Sequence, residues 1–276
     1  MKRDDYVLVE QTRPKGWRGF VYRTAVDLAS AIGRVFWFWE PLGTENIPRT
    51  GPLLVLANHP TYLDPPTMVA LMIYYAERDL SIMAWDKLFK IPLVSFFTRT
   101  YKAYPVNRDN PGRGPFVTLL NILKQGGAAG VFPEGSRSKG ALMGEWKPGA
   151  LRAAFSTEAT ILPVTLVTVG EFWPRGTWRP RLFRKHQLIV HKPLTYAEYS
   201  AGRPDGTHER EYQEVVAARI RDIINGPLIA RQNAHREYLD AMERRTDKLA
   251  PTPAAALQRQ QRVQAALQQL RGRAEG

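Results

Sequence analysis

Between residues 46 and 200 the chain alternates short apolar runs with stretches of helical periodicity. Leu53–Ala57 (LLVLA) has no polar position, which predicts a strand buried on both faces. Residues 80–84, 103–106, 129–132, 161–167 and 187–190 read as further strands. Between them, residues 65–76, 115–125 and 149–156 carry the spacing of helices, and Gly126 and Gly127 stop the second of these. Strands that alternate with helices predict an α/β fold, a mostly parallel sheet flanked by helices.

Two appendages frame that pattern. Residues 16–40 place Phe20, Val21, Ala25, Leu28, Ile32, Val35, Phe36 and Phe38 near a helical period. Trp17, Trp37 and Trp39 stand among them, with Lys15, Arg18, Arg23 and Arg34 between the apolar positions. Aromatic and basic residues mixed on an apolar helix suit a lipid headgroup layer, and a helix packed on the main domain is the other reading. Residues 209–224 and 228–246 read as two amphipathic helices, and after Pro251 and Pro253 the chain is rich in Ala and Gln. The expected organisation is a membrane-associating arm over 1–45, an α/β domain over 46–204 and a helical extension over 205–276. The longest apolar stretch in the arm, residues 24–39, contains Asp27 and Arg34, so no membrane-spanning helix is expected. Residues 1–10 hold Asp4 and Asp5 and lack an apolar core of signal-peptide type.

Charge changes this picture more than composition does. The 276 residues are 44% hydrophobic, ample for a core, but 39 basic against 26 acidic groups give a net charge of +13. Such a chain expects an anionic partner: nucleic acid, an anionic bilayer, an acidic carrier protein or a phosphorylated substrate. There is no cysteine, which excludes disulfides, thiolate metal sites and cysteine nucleophiles. Residues 172–185 (FWPRGTWRPRLFRK) set Arg175, Arg179, Arg181, Arg184 and Lys185 among four aromatic rings. The segment fits an anionic bilayer at roughly 1 kcal/mol per basic residue, an acidic acyl carrier protein, the phosphates of coenzyme A, or plain solvent. Aromatics interleaved with arginines also suit single-stranded nucleic acid. No helix-turn-helix, zinc-finger or RNA-recognition pattern accompanies them, so nucleic acid is not expected as a partner.

The candidate chemistry follows strands. Asn58-His59-Pro60-Thr61-Tyr62-Leu63-Asp64 comes directly after the strand Leu53–Ala57, and ligand sites of open α/β sheets form at strand ends. A histidine and a carboxylate five residues apart can meet across a tight loop as a general base and its orienter. Asp64-Pro65 also reads as a helix start with an aspartate cap, and His59 then needs no chemical role. Phe132-Pro133-Glu134-Gly135-Ser136-Arg137-Ser138 follows another strand. Its glycine admits close backbone approach and its arginine offers a planar fork matched to phosphate. Tyr104-Pro105-Val106-Asn107-Arg108-Asp109 places Arg108 similarly, as a ligand cation or in a surface ion pair with Asp109. Residues 161–166 (ILPVTL) are uncharged and read as a buried strand or the wall of an apolar slot.

In this order and spacing, NHPTYLD, VNRD, FPEGSRS and ILPVTL resemble the glycerolipid acyltransferase family, the 1-acylglycerol-3-phosphate acyltransferase group in particular, over about residues 45–195. The resemblance implies a fatty acyl transfer in phospholipid biosynthesis, from acyl-CoA or acyl carrier protein to the sn-2 hydroxyl of lysophosphatidic acid. It makes His59 the base and Asp64 its orienter. Arg108 matches the basic position of the second motif. Glu134, Gly135 and Arg137 match the third, which holds the acceptor's glycerol phosphate, and Pro163 matches the fourth, tied to the acyl chain or donor. Asn58 and Ser136, inside the first and third motifs, are counted with the substrate-binding residues, as is Lys102 beside the second. Lys147, in Trp146-Lys147-Pro148-Gly149, matches a basic position downstream without an assigned role. Two departures stand out: Tyr104-Pro105-Val106 replaces a glycine and phenylalanine often found there, and Ser136 replaces a common threonine. Acyl transfer from a thioester is downhill and needs positioning, a base and charge stabilisation, so no metal or cofactor beyond the acyl donor is expected. The aromatic and basic arm and the 172–185 segment predict a peripheral or monotopic place on the cytoplasmic face of a membrane, with anionic lipids as partners. Other acceptors in the same chemistry are glycerol 3-phosphate, a lysophospholipid, an amino-lipid, or a sugar or isoprenoid hydroxyl. A silent membrane-binding relative is disfavoured by the intact His59 and Asp64.

Overall fold

The structure, a computed structural model, describes residues 6–9, 16–37, 39–107, 110, 112–138, 142–168, 186–204 and 208–249. The basic segment 172–185, Arg108 with Asp109, and the tail from 250 lie outside the described residues.

A helix α1 (Gly16–Trp37) leads into strand β1 (Trp39–Leu42). Then come β2 (Leu53–Ala57), α2 (Asp64–Ala76), β3 (Ser81–Trp85), α3 (Pro92–Thr100), β4 (Tyr104–Val106), α4 (Gly114–Lys124) and β5 (Ala128–Val131). The rest is α5 (Gly149–Thr157), β6 (Thr160–Thr168), β7 (His186–Val190), α6 (Tyr196–Ser200) and α7 (Glu209–Leu249). The strands form one sheet in the order β1-β7-β6-β2-β5-β3-β4. The five strands β2 to β6 are mutually parallel; β7 runs antiparallel to β6, and β1 pairs parallel with β7. The expected mostly parallel α/β sheet is therefore the observed one.

β2 sits between β5 and β6, with Leu54 in register with Ala129 on one side and Ile161 on the other. Alternate residues feed two cores, which explains an uninterrupted apolar run at the centre of a parallel sheet. Leu54 and Leu56 pack with Leu119, Ile122, Leu151, Ile220 and Ile224, from α4, α5 and α7. Leu53, Val55 and Ala57 pack with Met68, Leu71 and Met72 of α2. Leu53, Leu54 and Leu56 are fully buried, each contributing on the order of 2 kcal/mol of apolar transfer.

Some elements differ from the pattern reading. Trp39–Leu42 is a strand at the sheet edge, so the N-terminal arm helix ends at Trp37. The helix α3 and the capped turn α6, whose Thr195 and Glu198 form a reciprocal capping box, are additions. The two C-terminal helices are one, Glu209–Leu249, with Pro227 inside it. Proline removes one helical donor there. Tertiary bonds hold the chain on course just before it: Ile224 O accepts from Thr165 Oγ1 (2.8 Å), and Asn225 Oδ1 accepts from the Met143 N–H (2.9 Å). The chain forms two compact units, Met1–Ile229 and Ala230–Gly276, and the sheet lies wholly in the first.

Candidate active site at the carboxyl edge of the sheet

Because β2 to β6 are parallel, the segments that follow them gather at one edge. His59 leaves β2 there, and its Nδ1 lies 2.7 Å from Asp64 Oδ2. A carboxylate only accepts, so Nδ1 carries the proton and Nε2 presents a lone pair. No side chain among the described residues bonds Nε2. Asp64 is completely buried and also accepts from the Thr61 N–H (2.7 Å) and the Thr61 hydroxyl (2.5 Å). α2 does start at Asp64, with prolines in its first turn, but no side chain caps it: the carboxylate turns back to the loop instead. The helix-start and base-orienter readings were alternatives in the sequence; the chain has the helix start and the histidine–aspartate contact together.

The loop after β5 closes on this pair. Phe132 stacks on the His59 imidazole, with centroids 4.2 Å apart and planes at 20°. The Ser138 N–H donates to His59 O (2.8 Å), and the His59 N–H donates to Glu134 Oε1 (3.3 Å). Glu134 also accepts from Ser138 Oγ (2.8 Å) and the Gly144 N–H (3.2 Å). Its carboxylate thus braces three segments against one another, a positioning role beside the substrate contact expected of it. Gly135 follows with φ of +70°. Ser136 is half-buried, with its hydroxyl 3.5 Å from Arg137 O.

Arg137 reaches back across the site. Its Nη2 donates to the Tyr62 hydroxyl (2.8 Å), and its Cζ lies 3.7 Å from the Tyr62 ring centre. The guanidinium is pre-positioned by that flat contact. Nη1 is shut off from solvent and bonds no described residue. A buried charged donor in this state suits an anion placed against it.

Three expected binding residues are engaged elsewhere. The Asn58 amide is fully used on β6, donating to Leu166 O (3.0 Å) and accepting from the Leu166 N–H (2.8 Å), so it clamps the loop to the sheet. Lys102 precedes β4 and pairs with Asp79, which precedes β3, at 2.6 Å. Both sit at the opposite edge of the sheet from His59, the length of the strands away, roughly 15 Å; Lys102 is not brought to the site. Pro163 is buried within β6 in register with Leu56, and its carbonyl accepts from the His191 N–H (3.0 Å). Lacking an N–H, it ends the antiparallel pairing with β7. Arg108 lies outside the described residues.

His186 stands in none of the four motifs. It opens β7 opposite Thr168, at the same edge. Burial pushes its imidazole pKa below the ordinary value, and the nearby Asp64 charge opposes that shift. A neutral histidine there leaves the Asp64 charge to His59. Tyr62 and Phe132 were also missed as partners, although both stand inside or beside the quoted motifs.

Residues 41–167 match the family model for acyltransferases. The chain is 29% identical over 156 residues to a chloroplastic 1-acyl-sn-glycerol-3-phosphate acyltransferase of Arabidopsis thaliana, covering 55% of this chain and 42% of that protein. It is 30% identical over 133 residues to a protein of the same name from Borreliella burgdorferi, covering 48% and 52%. The chain spans about half the length of these curated relatives. Its fold is similar to the crystal structure of the 1-acyl-sn-glycerophosphate acyltransferase PlsC of Thermotoga maritima, with a TM-score of 0.53 and 26% identity over 73% of this chain and 79% of that one. The histidine–aspartate pair and Arg137 lie within the residues those matches cover, so residues 41–167 form an acyltransferase domain, and the curated relatives and the PlsC structure it resembles support the 1-acylglycerol-3-phosphate acyltransferase group as its kin.

Proposed function

We propose that this protein transfers a fatty acyl group from a thioester, acyl-CoA or acyl carrier protein, to the sn-2 hydroxyl of lysophosphatidic acid, with His59 as the general base. The observation that carries the reading is the His59–Asp64 contact within one loop of the Tyr62-backed Arg137. The acceptor phosphate docks on Arg137, which fixes its glycerol hydroxyl near His59 Nε2. Nε2 takes the hydroxyl proton as that oxygen attacks the thioester carbonyl, and Asp64 steadies the imidazolium that results. The tetrahedral adduct collapses with loss of the thiolate, which takes the proton back from His59. Much of the rate then comes from holding two substrates in line.

The test is acyl transfer by the full chain in detergent, read by mass spectrometry, with lysophosphatidic acid competing against lysophospholipids and glycerol 3-phosphate. Phosphatidic acid is the expected product. Arg137→Ala is expected to raise KM for the phosphorylated acceptor roughly 10–100-fold, the worth of one or two charge-assisted bonds. A product from another acceptor sinks the lysophosphatidic acid assignment, and an unchanged acceptor KM in Arg137→Ala sinks the clamp.

The substrate is a lipid, and α1 supports a membrane-surface location. Trp17, Phe20, Leu28 and Val35 are exposed, and at 100° per residue all four fall on one stripe. The other side is held inward, with the Tyr22 hydroxyl donating to Asp79 (2.7 Å). No helix among the described residues is long and apolar enough to cross a membrane. The stripe therefore lies on a leaflet, the anionic cytoplasmic one in this reading, drawn by the +13 charge. Serine at Trp17, Phe20 and Leu28 together is expected to cut flotation with anionic vesicles by at least about tenfold, from lost apolar burial; undiminished flotation rules the stripe out.

A further inference from the structure

Gly135 has a left-handed φ of +70°, and the space its absent Cβ leaves is taken by a lysine. Cε and Nζ of Lys147 each lie 2.8 Å from where that Cβ would stand. Backbone bonds bring the lysine there. Its own N–H donates to Pro133 O (2.9 Å), and three residues earlier the Gly144 N–H donates to Glu134 Oε2. Between those points and the core, the Met143 N–H is held by Asn225 Oδ1. The segment 142–148 is therefore fixed against the loop after β5, and the side chain is aimed at one spot.

The Lys147 ammonium forms no ion pair among the described residues. The carboxylate next to Gly135 in the chain, that of Glu134, is committed to the His59 N–H, Ser138 Oγ and the Gly144 N–H. Two residues beyond Gly135 stands Arg137 with its buried, unbonded Nη1. The Cα atoms of positions 135 and 137 are at most about 7 Å apart. Two cations therefore flank the same turn, neither paired with a carboxylate of the described residues.

We propose that Lys147 is a phosphate-binding residue that forms, with Arg137, a two-cation subsite for a phosphate monoester. This rests on the acyl-transfer reading above, for which it names a second ligand of the phosphorylated substrate. The chemistry fits a dianion: the arginine fork takes two oxygens in a plane and the ammonium takes the third as a point charge. Gly135 is what admits the lysine, since any side chain at 135 displaces Nζ. The proposed reaction offers two such phosphates, that of the lysophosphatidic acid acceptor and the 3′-phosphate of a coenzyme A donor.

The experiment is calorimetric titration of the full chain in detergent with two ligand pairs. One pair is lysophosphatidic acid and the monoacylglycerol of the same chain; the other is coenzyme A and its 3′-dephospho form. Lys147→Met is expected to weaken the phosphorylated member of one pair by about tenfold, the scale of one charge-assisted bond, and to leave its unphosphorylated partner unchanged. Lys147→Arg restores the difference, and Gly135→Ala shifts it in the same direction as Lys147→Met. A loss confined to the first pair assigns the subsite to the acceptor, and a loss confined to the second assigns it to the donor. Unchanged discrimination in both pairs overturns the proposal. Lys147 is exposed, so its removal does not open the core. Acyl transfer is measured in parallel. A wild type that discriminates phosphate but transfers no acyl group upsets the acyl-transfer reading and leaves the subsite standing. A Lys147→Met variant with wild-type transfer, acceptor KM and phosphate discrimination removes the subsite and leaves the acyl-transfer reading.

Discussion

Acyl transfer by a His59→Ala variant is expected to fall by about 10²–10⁴-fold, the contribution of a well-placed general base. The loss should lie in the chemical step. His59 presents Nε2 toward the site, while its own backbone N–H and carbonyl, which the substitution keeps, hold the loop to Glu134 and Ser138. Asp64 is not orphaned by the change, because both Thr61 bonds remain. What goes is one buried hydrogen bond and the stack on Phe132, a cost of about 1–2 kcal/mol against a total stability of about 5–15 kcal/mol. Single-turnover rates at saturating acceptor, beside a thermal melt, separate the two effects. A folded variant with wild-type turnover ends the base assignment. A variant that fails only because it unfolds is distinguished by its melt, and His59→Gln, which restores a polar side chain beside Asp64, then carries the same test.

The sequence was most informative where one physical signal dominates. LLVLA reads as a strand buried on both faces, and it is the central one. The histidine and aspartate five residues apart were legible as a pair because a loop leaving a buried strand brings such positions together, and they meet at 2.7 Å. Roles set by distant contacts were not legible. Asn58 is adjacent to His59, yet its amide is consumed by Leu166, more than a hundred positions away. Glu134 stands in the phosphate-binding motif, yet its oxygens brace backbone. Lys102 lies near the second motif in the chain, but it precedes its strand where the site follows the strands, so nearness in sequence put it at the wrong edge. Residues 209–224 and 228–246 read as two helices, yet they are one, with Pro227 inside it. The proline is tolerated where Thr165 and Asn225 tie the neighbouring turns to the rest of the unit. The Lys147–Gly135 contact had half a signal, a positive-φ glycine in a motif, but nothing in the chain says which side chain occupies the space beside it.

Asp64→Asn divides orientation from charge. In the wild type Oδ2 takes Nδ1 of His59 and the Thr61 N–H, while Oδ1 takes the Thr61 hydroxyl. An asparagine that turned its amide nitrogen toward Oδ2's position would face two donors, so the favourable flip puts the nitrogen toward the Thr61 hydroxyl, which rotates to accept. That hydroxyl already accepts from the Leu63 N–H (3.3 Å), so its own proton loses a partner, at about 1–2 kcal/mol. The imidazole keeps its tautomer and its place, and the variant folds. What disappears is the negative charge that steadies the imidazolium as the proton moves. Turnover is therefore expected to fall by about 10²–10⁴-fold with acceptor KM near that of the wild type. Asp64→Ala goes further: it strands His59 Nδ1–H and the Thr61 donors in a fully buried site, and should add roughly 3 kcal/mol or more of destabilisation. Near-wild-type turnover in Asp64→Asn would make Asp64 a mere fold element and leave His59 to act without its charge.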